Sequence, residues 1–347
     1  MSSPAAFTKL SRRVTRVMGL NPGPMTLEGT NTYLVGSGHR RCLVDTAEGL
    51  PQYLEVLKAA LAASPTSDAK PEIASIVLTH WHRDHVGGVP HVKEAFPNAV
   101  LYKVPSMCAA AQHEEALATN NGLISLVDPM TSLPKCSSTQ RPFLTVDDES
   151  TLEFVLTPGH TDDHVTLKLV EENALFTGDC ILGAGSSVFA CYAEYMASLE
   201  TLKELQPSLL YPGHGPVVED AMGRIMEQIA HRGKREEQIL SALKALSAAS
   251  SNGGGSATIV EIVGIVYRDV PQHLHPAAAY NVLHNMKKLL RDGKCFVASS
   301  DEEAATKLLR AMGDYDGGEG TTEDVNVVTN IVRHLKWGAV QHARPSL

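Results

Sequence analysis

A layered α/β fold, an αββα sandwich with a second, mostly helical unit behind it, is what this 347-residue sequence predicts, on three observations. Short apolar, β-branched runs alternate with stretches of helical periodicity up to about residue 231. Several of those runs end in short loops rich in histidine, aspartate and glycine, as when strands present ligands along one edge of their sheets. Beyond residue 231 the periodicity is almost wholly helical, interrupted by the flexible stretch Ser250-Ser251-Asn252-Gly253-Gly254-Gly255-Ser256, which cannot be core.

Residues 1–20 carry Lys9, Arg12, Arg13 and Arg16, and the first acid is Glu28. This start has the composition of a mitochondrial transit peptide, while residues 14–18 also read as the first strand of the fold. A mitochondrial matrix location, and otherwise a cytoplasmic one, is the expectation. Residues 31–36 and 40–45 suit a hairpin around a Gly-Ser-Gly turn. Residues 51–63 follow as a helix, with proline in the first turn and Leu54, Leu57, Ala60 and Leu61 at helical spacing. A buried-type strand, 73–78, leads into a site loop and a helix through Phe96. Residues 104–150 are polar and proline-punctuated and give little periodic signal. Strands are expected at 152–157, 164–170, 174–177 and 208–211, with a helix at 196–205.

Residues 219–231 place Ala221, Met222, Ile225, Met226 and Ile229 on one helical face, which closes a first domain at 1–231. Residues 232–300 hold expected helices at 234–247, 258–267 and 276–291 and a strand at 294–298, a winged-helix-like arrangement. Residues 301–347 form a C-terminal extension. Its acidic, glycine-rich part, 314–323, is expected to be mobile, and 327–340 to form a short helix.

A net charge of -9 argues against a generally basic nucleic-acid binder. Its distribution is uneven: residues 1–230 hold 16 Lys/Arg against 26 Asp/Glu, whereas residues 231–300 hold 9 against 5. An acidic body with a basic module suits an enzyme of polyanions, with Arg232, Lys234, Arg235, Lys287, Lys288 and Arg291 as phosphate-attracting groups. No stretch is long and apolar enough to span a bilayer, so no membrane partner is expected. The six cysteines show no C-x-x-C spacing, which favours free, mostly buried thiols over a disulfide framework.

The chemistry concentrates in Thr79-His80-Trp81-His82-Arg83-Asp84-His85. Three imidazoles and a carboxylate at the end of a buried-type strand, followed by Gly87-Gly88, point to a metal-binding loop. In an extended segment His80 and His82 project the same way, and the turn that follows aims Asp84 and His85 elsewhere. One loop can then serve two neighbouring metals. By the same alternation Trp81 and Arg83 point away from the His80/His82 side, into structural roles.

The H-x-H-x-D-H string resembles the signature of the metallo-β-lactamase superfamily. The other elements follow in order: Pro158-Gly159-His160-Thr161, Phe176-Thr177-Gly178-Asp179 and Tyr211-Pro212-Gly213-His214-Gly215. More closely, the segment from Asn21 to Leu34, Gly159-His160-Thr161-Asp162-Asp163-His164 and Gly178-Asp179-Cys180-Ile181-Leu182-Gly183 resemble the β-lactamase-like protein 2 family, from about Arg13 to Ser299. That family contains a mitochondrial endoribonuclease acting on single-stranded RNA. The resemblance implies His80, His82 and His160 on one metal, Asp84, His85 and His214 on the other, and Asp179 bridging. Two Zn2+ ions suit such nitrogen and carboxylate ligands, and Mn2+ or Fe would also be admitted. Metal binding lowers the pKa of water from ~15.7 to roughly 7, which makes an activated hydroxide the expected nucleophile. Asp84 and His85 are the expected catalytic residues, with Asp84 also orienting the water as a general base.

The implied activity is endoribonuclease cleavage of single-stranded RNA. The alternative is a thioesterase acting on a small acyl thioester, as in fungal polyketide-releasing enzymes or glyoxalase II-like hydrolases. Asp162, Asp163 and His164 are expected to orient imidazole tautomers, with a core role for His164 weighed equally. This chain departs from the family at Asp45-Thr46-Ala47-Glu48, where relatives carry glycine in place of Ala47; that removes conformational freedom from a turn near the site.

Overall fold

The computed structural model of the chain describes residues 5–63, 70–119, 122, 124–249, 255–298 and 335–340. The chain divides into two compact units, one of Met1–Phe189 and Glu194–Gln228, the other of Ala190–Ala193 and Ile229–Leu347.

The first unit opens with strands β1 (Phe7–Lys9), β2 (Val14–Met18), β3 (Asn31–Val35) and β4 (Arg40–Val44). Helix α1 (Pro51–Ala62), β5 (Glu72–Leu78), α2 (Arg83–Val86), α3 (Val89–Ala95) and β6 (Val100–Lys103) follow. Next come α4 (Ala109–Ala118), β7 (Leu126–Val127) and α5 (Pro129–Ser132). Strands β8 (Phe143–Asp147), β9 (Ser150–Leu156), β10 (Val165–Leu169) and β11 (Ala174–Gly178), helix α6 (Tyr192–Glu204) and β12 (Leu209–Pro212) complete the strands of this unit. Strands β1 to β7 form one sheet in sequence order, antiparallel through β4 and parallel thereafter. The second sheet has the order β12-β11-β10-β9-β8.

Side-chain alternation separates the two faces of the larger sheet. Leu34, Leu43 and Ile76 pack with Leu57 of α1 and Val89 of α3. Their neighbours Tyr33, Val35, Cys42, Val44 and Val77 pack instead with Phe154, Leu167 and Phe176 of the other sheet. Helix on sheet on sheet is the layering expected of the αββα sandwich. The helix expected through Phe96 after the site loop is α3, and the site loop itself carries the short helix α2, parted from α3 at Gly87-Gly88. A Cβ on Gly88 would fall 2.0 Å from the Thr46 carbonyl oxygen, so this close approach requires glycine.

Three other expectations change. Residues 14–18 are the second strand, because Phe7–Lys9 pairs antiparallel with them. The Arg-rich start is thus built into the sheet from Phe7 onward, and Arg12 and Arg13 reach Glu149 and Glu172 at 2.5 and 3.6 Å. The helices expected at 219–231 and 234–247 are one continuous helix, α7 (Ala221–Ala249), which carries the chain from the first unit into the second. A glycine in an exposed helix costs only about 1 kcal/mol, so Gly233 does not end it. Of the six cysteines, all free, three are buried: Cys42, Cys180 and Cys295.

The second unit continues with β13 (Ala257–Thr258), α8 (Ile259–Val266), α9 (His275–Arg291), β14 (Cys295–Val297) and β15 (Lys336–Ala339). Thr258 and Glu261 form a capping box that starts α8. The three strands pair in the order β13-β15-β14, so the late strand β15 lies between the other two. This corrects the short helix expected over 327–340 where residues are described. The acidic stretch 314–323 lies outside the described residues, as does most of the Gly/Ser stretch. Trp337 of β15 is fully buried against Ile259, Val282, Leu283 and Leu289.

The basic block is largely engaged within the unit. Lys288 pairs with Glu236 and Asp292 at 3.0 and 2.8 Å, and Lys294 with Glu236 at 3.4 Å. Arg235 lies over the Tyr267 ring at 4.4 Å and donates to the Val266 carbonyl. Of the six cations expected to attract phosphate, Lys234 and Arg291 are exposed.

Two stability predictions follow from this unit. Trp337→Ala removes the largest fully buried side chain and lowers stability by about 3–5 kcal/mol, read as an earlier unfolding transition in urea. His284 is buried, which pushes its imidazole pKa down to about 3. A depressed folded-state pKa means that this contribution is complete above the unfolded value near 6.5 and is lost as pH falls toward 3. Stability to heat should therefore fall as pH drops through this window, by up to about 1.4 kcal/mol per pH unit from this group, and less steeply in His284→Gln.

Candidate metal centre

The site lies where the ends of β5, β9, β11 and β12 meet at one edge of the two sheets. His80 lies in the bend that follows β5 and His82 is the residue before α2, which begins at Arg83 and turns Asp84 and His85 toward a second position. His160 follows β9, Asp179 follows β11 and His214 follows β12. All seven residues expected as ligands are brought together. His80, His82, His160 and Asp179 form one group and Asp84, His85 and His214 another, each with ligand atoms within 4.8 Å of one another.

In the first group, His82 Nδ1 lies 3.0 Å from both His80 Nε2 and His160 Nε2. In the second, His85 Nε2 and His214 Nε2 are 3.4 Å apart, and Asp84 Oδ2 is 3.4 and 3.1 Å from them. Asp179 stands between the groups. Its Oδ2 is 3.7 Å from His160 Nε2 and 3.3 Å from His214 Nε2, and its Oδ1 is 3.5 Å from His85 Nε2. Gly213 lets it stand there, since a Cβ at that position would meet Asp179 Oδ1 at 2.4 Å.

The partners of the outer ring nitrogens fix the tautomers. His85 Nδ1 is 2.8 Å from Asp45 Oδ2, and Asp45 also accepts from the Thr79 amide and hydroxyl at 2.8 and 2.9 Å. With its proton given to Asp45, the Thr79 oxygen accepts from His80 Nδ1 at 3.0 Å. His160 Nδ1 donates to the Val188 carbonyl at 2.9 Å. In all three rings Nε2 is left as a lone pair facing the centre.

Charge follows the same division. Burial pushes His80 well below the ordinary histidine range, and burial with the neighbouring His160 pushes His82 down to about 3. Burial opposes a charge on His85 too, but the carboxylates of Asp84, Asp179 and Asp45 outweigh it and raise its pKa well above the usual value. His214 is pushed up to about 9 in the same way, burial being overcome chiefly by Asp179. The Asp179 carboxyl is held well below the carboxylate range, against burial, by His214 and His85.

These residues fit divalent metal ions. Two nitrogens on a tetrahedral zinc, with bonds of ~2.0–2.1 Å, lie ~3.3–3.4 Å apart, close to the separations found here. Converging lone pairs and buried carboxylates call for positive charge, and Asp179 Oδ1 has no hydrogen-bond partner among the described residues.

Four residues that the sequence did not mark stand behind the ligands. Asp45 and Thr79 orient His85 and His80. Thr30 Oγ1 donates to Asp84 Oδ2 at 3.3 Å, and Asn31 Nδ2 donates to the Pro212 and Gly215 carbonyls at 3.0 and 2.8 Å, bracing the turn of His214. Asp45 and Ala47 both have positive φ, 59° and 57°, so Ala47 holds a left-handed conformation of the kind that favours glycine. Asp162 and Asp163 do not orient imidazoles. Asp162 accepts from Ser106 and the Met107 amide, and Asp163 from Lys103 and Thr161. His164 accepts from the Asp179 amide at 3.2 Å, and so holds the backbone of the bridging residue.

A cavity of about 450 Å³ opens over the ligands, lined by His82, Asp84, His160, Asp179 and His214 together with the loops 24–27 and 182–188. Trp81 is buried, as expected of a structural residue. Arg83 is exposed and lines the cavity, which corrects its expected structural role.

Loss of a carboxylate that orients a metal-ligating histidine typically weakens metal binding 10–100-fold. Asp45→Ala is expected to show that loss in chelator competition, with near-native circular dichroism; unchanged affinity would remove Asp45 from this role.

The comparisons with known proteins agree with this geometry. Residues 25–214 match the Metallo-beta-lactamase superfamily, and residues 258–303 match the Beta-lactamase associated winged helix domain. A Beta-lactamase-like protein 2 homolog of Drosophila melanogaster is 39% identical over 307 residues, 86% of this chain and 94% of that protein. Atrochrysone carboxyl ACP thioesterase dmxR1 of Cryptosporiopsis sp. is 34% identical over 269 residues, 75% and 74% of the two chains. The crystal structure of a Beta-lactamase domain protein from Burkholderia ambifaria has the same fold, with a TM-score of 0.63, 18% identity and coverage of 86% of this chain and 93% of that one. The chain belongs to the metallo-beta-lactamase superfamily, whose members are generally metal-dependent hydrolases, and carries a C-terminal winged-helix domain.

Proposed function

We propose that the protein is a dinuclear metal-dependent hydrolase, with zinc as the resident ion, that cleaves phosphodiester bonds in single-stranded RNA. The observation that supports this most is the position of Asp179 between two complete ligand groups. Paired sites of this kind suit in-line displacement at phosphorus, where charge develops on entering and leaving oxygens together. The sequence resemblance to the β-lactamase-like protein 2 family, with its endoribonuclease, favours RNA as the strand attacked, and two homologs of that name are similar over 86% and 82% of this chain.

His80, His82, His160 and Asp179 would hold one ion and Asp84, His85, His214 and Asp179 the other. When bound, such ions lower the pKa of water to roughly 7 and neutralise charge on the reacting oxygens. The chain's own groups do the rest. Asp45, Thr79 and the Val188 carbonyl keep three imidazole tautomers fixed, so their lone pairs need no reorganisation. Asp84 lines the cavity with its Oδ2 turned to His85 and His214, and its carboxylate can accept a hydrogen bond from the attacking water and orient it. Thr30 restrains that carboxylate from behind.

A second reading, thioester hydrolysis, is favoured by the mouth of the cavity. Met25 and Val188 line it while 68% and 54% exposed, and Leu27 and Leu182 join them, a surface suited to a lipophilic acyl chain. The relative named as an acyl-carrier-protein thioesterase points the same way.

A substrate panel decides between the two. Labelled single-stranded RNA and a chromogenic acyl thioester are given to wild type and Asp84→Ala, each with zinc or manganese. RNA cleavage that falls at least a hundredfold in Asp84→Ala supports the first reading. Thioester turnover with the same dependence, and intact RNA, supports the second and contradicts the first.

A further inference from the structure

We propose that Arg83 is a substrate-positioning residue, whose guanidinium takes the phosphate adjoining the scissile bond of a single-stranded RNA; this rests on the phosphodiester reading above. Arg83 is the one Arg or Lys among the described residues lining the cavity. It is the first residue of α2, between His82 and Asp84, so its backbone is fixed by the site itself. The side chain is exposed and has no hydrogen bond or ion pair among the described residues, even with Glu48, which lines the same cavity. A guanidinium left unpaired beside a cluster of carboxylates has its five donors free for a ligand, and its planar fork matches two oxygens of one phosphate.

The recognised phosphate is the adjoining one because the scissile phosphate would sit over the two ligand groups, His80, His82, His160 and Asp179 and Asp84, His85 and His214, while Arg83 lines the cavity beside them. The need for such a contact is general to the molecule. The first 230 residues are strongly acidic, and in the second unit Lys288, Lys294 and Arg235 are engaged with Glu236, Asp292 and Tyr267. A side-chain cation at the cavity therefore adds to the attraction that metal ions there would supply for an RNA strand entering an acidic body.

The test uses the full chain as wild type, Arg83→Ala and Arg83→Lys, with metal content measured for each. The substrates are a labelled oligoribonucleotide and versions carrying one neutral methylphosphonate at successive positions around the cut. Arg83→Ala is expected to raise KM about tenfold, the loss of one charge-assisted contact, with kcat within about twofold and metal content unchanged. The salt dependence of kcat/KM should become shallower by about 0.7 in its log–log slope, a change that a purely structural role would not produce. Arg83→Lys should recover most of the loss in slope. For wild type, one methylphosphonate position beside the cut should raise KM as much as Arg83→Ala does, and Arg83→Ala should be insensitive to that position. Equal KM and slope in wild type and Arg83→Ala, or a wild type indifferent to methylphosphonate at every position, overturns the inference while leaving the RNA reading intact. Absence of RNA cleavage by metal-loaded wild type overturns both.

Discussion

The electrostatic cost of gathering Asp179 and Asp45, both buried, with the partly buried Asp84 is the constraint on which the site depends. Three carboxylates around one cluster of imidazoles would be strongly destabilising if each were left to itself. Here every one is compensated in the protein by a histidine, and the raised His85 and His214 are the visible result. A divalent cation between these groups would supply the same positive charge. The three rings on the other side are held neutral by burial or by their neighbours, which leaves their nitrogens open for ligation.

The fold exists around that constraint in a literal sense. Two sheets packed face to face bring the ends of β5, β9, β11 and β12 to one edge, and each strand delivers a ligand within a few residues of its end. The inner core of Tyr33, Phe176 and Tyr211 lies behind the ligands, and the Tyr33 hydroxyl donates to the Pro212 carbonyl at 2.7 Å. Packing and polar bracing therefore act on the same turn. Short turns anchored at the ends of packed strands, with α2, set the geometry of the site.

The seven residues that meet in the candidate metal centre were legible in the sequence because each lies in a short string whose residue types and spacing suit coordination. Asp45, Thr79, Thr30 and Asn31 were not, since a hydrogen bond from Asn31 to the carbonyls of Pro212 and Gly215 joins positions far apart in the chain and leaves no local pattern. Asp163 shows the opposite error. Its place after a ligand suggested a role on the imidazoles, yet it lies in a buried ion pair with Lys103, and burial pushes its carboxyl up to about 6 even so. In the second unit the helices were readable from periodicity, whereas β15 was missed because its partners β13 and β14 lie on the far side of a long stretch of chain. The continuity of α7 was hidden by Gly233, whose small helix penalty is outweighed by the apolar face on either side.

The central claim is that these distant residues converge to hold two cations with Asp179 shared. Anomalous diffraction at the zinc edge, from crystals of the zinc-loaded protein, tests it most directly. Two peaks are expected on opposite sides of the Asp179 carboxylate, one within bonding distance of His80, His82 and His160 and the other of Asp84, His85 and His214. No peak in this cavity, or peaks bound by other residues while these seven stay unligated, would contradict the account.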